Sequence, residues 1–210
     1  MPGCTLLLIR HAHSAENGGS RNPRLCGRYD APLSELGAKQ VERLRGRLEC
    51  ADAGAAYASP LQRSIATAAA LPERLAPVRL QSLQEIDCGR VDGWLLSELE
   101  QRYPDLWQRN LAQQDDCFGW PGGETYAQFR ARVIRTARAL AGRHCGERVV
   151  AVTHAGFISQ LLGCMAGLKP SRWERFRPGN ASITEVQWGE HGFTLLRYDD
   201  RSHLQGLPER

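Results

Sequence analysis

The stretch LLLIRHAHSAEN, residues 6–17, opens with four apolar residues and then turns abruptly polar at Arg10 and His11. A short apolar run of this kind is typical of a strand buried in a parallel sheet. A second run, RVVAVT at residues 148–153, ends in the same way, directly before His154. These two stretches decide the fold, because they predict neighbouring strands that each deliver a histidine at their carboxyl end.

Helix-like segments separate the predicted strands, which include a weaker one at residues 55–58. Apolar residues recur at helical spacing after Ser34, after Ser59-Pro60, after the turn at residues 121–123 and after His154. Ser34 has the character of an N-cap, and Ser59-Pro60 predicts a cap followed by a proline in the first helical position. Strands that alternate with helices indicate an α/β layered domain with a mainly parallel sheet.

The C-terminal region adds a different pattern to the sheet. Residues 182–188 and 193–198, joined by a glycine-bounded turn, predict a hairpin. We therefore expect a three-layer α/β/α sandwich whose mainly parallel central sheet has an antiparallel edge strand. Residues 87–123, rich in Gly, Pro and Trp, are less regular and are interpreted as a lid or an insertion.

Composition limits the class of protein. At 210 residues, with 42% hydrophobic and 24% charged residues, the chain predicts one globular domain spanning residues 1–210. No apolar run approaches the roughly 18 residues of a membrane span, and residues 6–9 are too short for a signal peptide, so we expect a cytoplasmic protein without a membrane partner. The net charge of +4 is not concentrated in a run of basic residues, which argues against a nucleic-acid partner.

The seven cysteines are odd in number and scattered, and no two of them form a C-x-x-C pair. Disulfide frameworks and structural zinc sites need clustered, paired spacing. We therefore expect reduced thiols and no metal site.

The residues that carry chemistry follow predicted strands. Ligands of open α/β sheets bind beyond the carboxyl ends of the strands. That edge would collect Arg10 and His11 from the first strand, Arg63 from the helix after residues 55–58, and His154 from the last parallel strand. Arginines match phosphoryl oxygens with forked donors, and a neutral imidazole is a competent nucleophile, so this set predicts a phosphate site.

Phosphate-ester chemistry also needs an acid to protonate the departing oxygen. The irregular stretch LQEIDCGR, residues 83–90, offers two candidates, Glu85 and Asp87. The residues alone do not choose between them.

Six blocks in order resemble the histidine phosphatase superfamily, in its phosphoglycerate-mutase-like branch 1. They are LLLIRHAHSAEN, RLCGRYDAPLSELGAKQ, YASPLQRSIATA, LQEIDCGRVDGW, PGGETYAQFRARV and VVAVTHAGFISQLL. Together they extend the resemblance over roughly residues 5–185.

The resemblance implies a role for each matched residue. His11 falls on the phosphorylated position, while Arg10, Arg63 and His154 fall on positions that bind the phosphoryl group, and Glu85 rather than Asp87 falls on the proton donor. Asn17, Cys26, Gly27 and Ala155 match positions that contact phosphate or substrate. The implied enzyme is a metal-independent phosphomonoesterase that acts on a small phosphate ester without a cofactor and could form a homodimer.

The chain departs from the family pattern beside the nucleophile. Ala12 replaces the usual glycine, and His13, which we interpret as a residue at the edge of the pocket, replaces an acidic or amide residue. Three alternatives stay open: a bisphosphoglycerate-dependent phosphoglycerate mutase, an α-ribazole-5'-phosphate phosphatase, and a non-enzymatic binding module on the same fold. The compact region after Glu85 favours hydrolysis over mutase activity, because mutases of the family generally carry longer basic insertions there.

Overall fold

The computed structural model describes residues 3–16 and 23–208. Its six strands are β1 (Cys4–Arg10), β2 (Ala55–Ala58), β3 (Val78–Arg79), β4 (Arg148–Thr153), β5 (Ile183–Gly189) and β6 (Gly192–Asp200). They form a single sheet in the order β3-β2-β4-β1-β5-β6. The strands predicted from apolar runs are therefore all present, with ends that differ by only a few residues.

The sheet is mainly parallel. The β1–β4, β2–β4 and β2–β3 pairs are parallel, whereas β5 runs antiparallel to β1 and β6 antiparallel to β5. The hairpin of β5 and β6 thus supplies the predicted antiparallel edge. In the register of the central strands, Arg10 lies beside Thr153 and Ala58 beside Val152. The residues that follow these three strands consequently emerge side by side at one edge of the sheet.

The described chain holds the helices α1 (Glu35–Leu48), α2 (Gln62–Ala68), α3 (Leu96–Arg102), α4 (Pro104–Ala112), α5 (Tyr126–Arg143) and α6 (Ala155–Met165). The predicted cap at Ser34 is confirmed, since its side chain accepts a hydrogen bond from the Gly37 amide at 3.1 Å. The predicted helix start at Ser59-Pro60 is wrong. Helix α2 begins at Gln62 after Leu61, and the Ser59 hydroxyl lies 2.8 Å from His154 Nε2 instead of capping the helix.

Helices cover both faces of the sheet, which confirms the three-layer sandwich. Alternate residues of β1 point to opposite faces. Leu6 and Leu8 pack in one core with residues of α5 and α6, whereas Leu7 and Ile9 pack in the other with residues of α1. Burial of these two apolar cores on a shared sheet is what stabilises the site described below.

The segment interpreted as a lid or an insertion contains α3 and α4 and packs around a small third cluster. The buried members of that cluster are Cys88, Val91, Leu99, Phe118, Trp120 and Tyr126. All seven cysteines are unpaired. Within the described residues, no helix is long and apolar enough to cross a membrane.

Candidate active site

The side chains predicted at the sheet edge converge there. The ring centroids of His11 and His154 lie 5.2 Å apart, with the ring planes tilted by 59°. A cavity of about 1060 Å³ opens above them, and Arg10, Arg63 and Glu85 line it together with His11. One imidazole, two arginines and one carboxyl therefore line one cavity, and the fully buried His154 lies directly beside His11.

Three of the four predicted substrate-contact residues belong to the described chain. Cys26 and Ala155 line the cavity. Gly27 is not part of its lining, but its carbonyl oxygen accepts a hydrogen bond of 2.8 Å from Arg63 Nη2 and so helps to hold that arginine. The fourth, Asn17, lies outside the described residues.

Hydrogen bonding fixes the tautomer of His11. Its Nδ1 lies 2.8 Å from the carbonyl oxygen of Ala12. A carbonyl oxygen only accepts, so Nδ1 carries the proton and Nε2 keeps its lone pair. The backbone of the strand end therefore leaves one ring nitrogen of His11 available as a nucleophile.

Both the amide and the carbonyl group of His11 are hydrogen-bonded. Its amide donates to Thr153 O of β4 at 2.9 Å. Its carbonyl oxygen accepts from Asn180 Nδ2 at 3.1 Å. An imidazole held in this way would need little reorganisation before it attacked a bound substrate.

In His154 it is Nε2, and not Nδ1, that has hydrogen-bond partners. Its Nε2 lies 2.8 Å from Ser59 Oγ and 3.4 Å from Ser64 Oγ, while its buried Nδ1 has no hydrogen-bond partner. If the Ser59 hydroxyl donates to Nε2, Nδ1 carries the proton and can donate to an added ligand. A buried donor without a partner is costly, and a phosphoryl oxygen would satisfy it.

The two arginines are held by backbone carbonyl oxygens. Arg63 is almost fully buried and donates to Tyr29 O at 2.7 Å as well as to Gly27 O. Arg10 donates to Pro178 O at 2.7 Å. Neutral carbonyls orient the guanidinium groups without cancelling their charge. The part of the cavity that Arg10 and Arg63 line therefore stays positively charged.

Burial and these charges keep both histidines neutral. Loss of hydration on burial, followed by the positive charges of Arg63 and Arg10, lowers the pKa of His11 well below its usual value. Burial and Arg63 lower the pKa of His154 in the same sense. Burial likewise lowers the pKa of Arg10, to about 10, which leaves that guanidinium charged at neutral pH.

The carboxyl of Glu85 also lines the cavity. It accepts hydrogen bonds from the amides of Gly156 at 2.8 Å and of Ile86 at 3.0 Å. Burial nevertheless raises the pKa of Glu85, which favours the protonated acid. Asp87, the other candidate, pairs with Arg28 at 2.8 Å and is not part of the cavity lining, so the geometry favours Glu85 as the acid.

The two departures from the family pattern fit the structure without backbone strain. Ala12 is fully buried, and the described non-glycine residues with positive φ do not include it. His13 is also buried, with Nδ1 2.8 Å from Ser34 Oγ and its amide donating to Gln40 Oε1 at 2.8 Å. His13 therefore links the end of β1 to α1, and it lines the cavity as well.

Sequence reasoning missed several contributors to the site. A Cβ atom at Gly156 would come within 2.2 Å of Glu85 Oε1, so this glycine is needed for the carboxyl to dock on the start of α6. One side of the cavity, here called the far wall, comes from segments of the chain that follow α6. Its members are Arg177, Gly179, Asn180, Asp199, Arg201 and residues 204–208.

No group of three or more His, Cys, Asp or Glu side chains among residues 3–16 and 23–208 is arranged to hold a metal ion. The positive charge within the cavity comes from arginine side chains.

Comparison with known proteins identifies similar chains. The family model described as the histidine phosphatase superfamily (branch 1) matches residues 6–201. Phosphoserine phosphatase 1 of Hydrogenobacter thermophilus is 29% identical, over 95% of this chain and 93% of its own length. A metal-independent phosphoserine phosphatase of Arabidopsis thaliana is 25% identical, over 96% and 84%.

Solved structures show the same fold. A phosphoserine phosphatase mutant of Entamoeba histolytica, crystallised with phosphoserine, superposes with a TM-score of 0.83 at 21% identity, covering 96% of this chain and 99% of that one. A mycobacterial glucosyl-3-phosphoglycerate phosphatase gives a TM-score of 0.77 at 25% identity, covering 93% and 98%.

Proposed function

The chain belongs to the histidine phosphatase superfamily and is a phosphatase enzyme, and we propose that it hydrolyses small phosphomonoesters through a phosphohistidine formed on His11. The observation that carries this proposal is the pair of buried histidines with ring centroids 5.2 Å apart, beside a cavity that His11, Arg10 and Arg63 line. One histidine has a free lone pair for attack, and the other has a proton to donate.

In the first step, His11 Nε2 attacks the phosphorus atom and the bond to the departing oxygen breaks. Arg10, Arg63 and the Nδ1 proton of His154 stabilise the charge on the phosphoryl oxygens. Glu85 gives its proton to the departing alkoxide, which leaves as an alcohol. The products of this step are the free alcohol, phosphorylated His11 and the carboxylate form of Glu85.

In the second step, water attacks the phosphorus of phosphohistidine. The Glu85 carboxylate takes one proton from that water as the phosphorus–nitrogen bond breaks. Inorganic phosphate leaves, and neutral His11 and protonated Glu85 are restored. Glu85 thus acts as the general acid in the first step and as the general base in the second.

For the substrate, we propose a phosphomonoester whose alcohol part carries a carboxylate, with phosphoserine as the first candidate. Two curated relatives are phosphoserine phosphatases. In the far wall, Arg201 Nε lies 3.2 Å from Asp199 Oδ2, so these two charges largely offset each other. Arg177 adds a further positive charge, and the oxygen of its ion-pair partner Glu174 is 3.8 Å away, beyond hydrogen-bond length. An anionic group on the alcohol part would be attracted to this wall.

A panel of phosphate esters tests the proposal. Purified protein is assayed for inorganic phosphate release from phosphoserine, 3-phosphoglycerate, α-ribazole-5'-phosphate and an aryl phosphate, beside the variant His11→Ala. We expect phosphate release from the aryl phosphate and at least one metabolite, an acid-labile phosphate label on the protein, and loss of both signals by about 10⁴-fold or more in His11→Ala.

Two outcomes would contradict this proposal. A wild-type protein without phosphate release or label would point to a binding module. Transfer of phosphate between the hydroxyls of phosphoglycerate, primed by a bisphosphate and exceeding release to water, would point to a mutase.

A further inference from the structure

The loop that presents Glu85 is held by one arginine of helix α5. Arg132 Nη1 donates to Ser82 O at 2.9 Å and to Gln84 O at 2.8 Å, and its Nη2 donates to Glu85 O at 3.0 Å. Three carbonyl oxygens within four residues of the loop therefore converge on a single guanidinium group. The backbone of Glu85 is itself one of the points that Arg132 holds.

The remaining donors of Arg132 are directed to Glu124, the residue just before the N-cap of α5. Arg132 Nε lies 2.7 Å from Glu124 Oε1, and Nη2 lies 2.6 Å from Oε2. Glu124 Oε2 also accepts from the amide of Asp87 at 3.0 Å, on the far side of Glu85. Arg132 and Glu124, the loop clamp, therefore grip the chain both before and after Glu85.

The loop clamp is sheltered rather than a surface ion pair. The side chains of Arg132 and Glu124 are 13% and 19% exposed. A forked carboxylate–guanidinium pair of this kind is stronger and more directional than an exposed pair. A lysine could supply the charge here but not the five fixed donors.

We propose that Arg132 and Glu124 are positioning residues for proton transfer by Glu85. This inference rests on the proposed function, in which Glu85 protonates the departing oxygen. General acid catalysis requires the carboxyl within about 3 Å of that oxygen. A shift of about 1 Å, caused by a change away from the reacting atoms, can cost on the order of 10²-fold in rate.

In the first step, transfer of the phosphoryl group to His11, the position of Glu85 matters only for substrates that need its proton. The second step is the same for all substrates, so only the first step discriminates between them. An alkyl phosphate releases a strongly basic alkoxide and depends on the acid, whereas an aryl phosphate releases a weakly basic phenolate and depends on it little. Loss of the loop clamp therefore predicts a selective defect. A purely structural role for the same two residues would lower activity toward both kinds of substrate by the same factor.

The experiment measures kcat/KM, which covers only the steps up to release of the alcohol, for phosphoserine and for p-nitrophenyl phosphate in Arg132→Gln, Arg132→Lys and Glu124→Gln. For Arg132→Gln we expect kcat/KM on the alkyl substrate to fall about 10²-fold and kcat/KM on the aryl substrate to change by less than about 3-fold. Arg132→Lys should recover part of the alkyl rate, because it keeps the charge but not the fork. If phosphoserine is not turned over, the best alkyl ester of the panel takes its place.

Arg135→Gln is the matched control, since Arg135 is an exposed arginine on the same helix, and it should leave both rates unchanged. Glu124→Gln keeps the inference testable if Arg132→Gln does not fold, and it should show the same selectivity at smaller size. Equal losses on the two substrates, or no loss on either, would overturn the inference while leaving phosphohistidine chemistry intact. Failure of the proposed function would be distinct, because the wild-type protein would then turn over neither substrate.

Discussion

The two sides of the cavity are built in different ways. The phosphate side, formed by Arg10, His11, Arg63 and His154, stands on the ends of adjacent parallel strands or on the helix that follows one. The alcohol side, formed by Glu85 and the far wall, comes from irregular segments and from chain beyond β4. Loops on a rigid scaffold are where related proteins vary. We therefore expect changes on the phosphate side to affect all substrates equally, and changes on the alcohol side to discriminate between them.

The largest effect within this comparison is expected for Glu85→Gln. Loss of the proton donor should lower kcat/KM on an alkyl phosphate by about 10²- to 10⁴-fold, with a much smaller loss on p-nitrophenyl phosphate. Leaving-group dependence across a series of alkyl and aryl esters measures the difference. A loss of equal size across the whole series would show that Glu85 supports the site without donating the proton.

The same variant gives a pH test with a definite sign. Only protonated Glu85 can donate, and its pKa is raised by burial. The alkyl rate should therefore persist to higher pH than an exposed glutamate would allow, and should fall as pH rises through the raised pKa. Glu85→Gln should remove that alkaline limb from the kcat/KM profile, and a limb unchanged in the variant would assign it to another group.

The phosphate side could be predicted from sequence because it depends on local signals. Apolar runs that stop at Arg10, His11 and His154 mark strand ends, and parallel strands bring their carboxyl ends to one edge. Even the wrong start of α2 did not displace Arg63, since a shift of a few residues leaves the first turn at the same edge. The choice of Glu85 over Asp87 needed the family resemblance, because both carboxylates lie in the same irregular stretch.

The remaining contributors depend on contacts between distant parts of the chain. In the sequence, Ser59 before Pro60 is typical of a helix cap. It lies beside His154 only because β2 pairs with β4. Arg132 lies on an amphipathic helix rich in arginine, where a solvated side chain is the default interpretation. The far wall needs Arg177 and the segment after β6 to fold back over the site, which no spacing in the sequence predicts.

A smaller effect, and one without selectivity, is expected for Ser59→Ala on the phosphate side. In the proposed mechanism the Ser59 hydroxyl donates to His154 Nε2 and so leaves the proton on Nδ1, and loss of one such hydrogen bond corresponds to about 10-fold in rate. We expect alkyl and aryl substrates to lose activity by the same factor. Ser64→Ala is the matched control, because Ser64 is equally buried but lies 3.4 Å from the same nitrogen. A larger loss in the Ser64 variant would show that Ser64, and not Ser59, donates to His154 Nε2.

The smallest effect, and one confined to substrates with a carboxylate, is expected for Arg177→Gln in the far wall. Its side chain is 66% exposed, so solvent weakens its attraction to a substrate carboxylate. We expect kcat/KM to fall about 3-fold for phosphoserine, mainly through KM, and to stay unchanged for phosphoethanolamine, which lacks the carboxylate. Arg175→Gln, an exposed arginine two positions earlier and not part of the cavity lining, should leave both values as they are. Equal losses on the two substrates would mean that Arg177 acts on the phosphoryl group. Arg177 would then belong to the phosphate side of the cavity and not to the alcohol side.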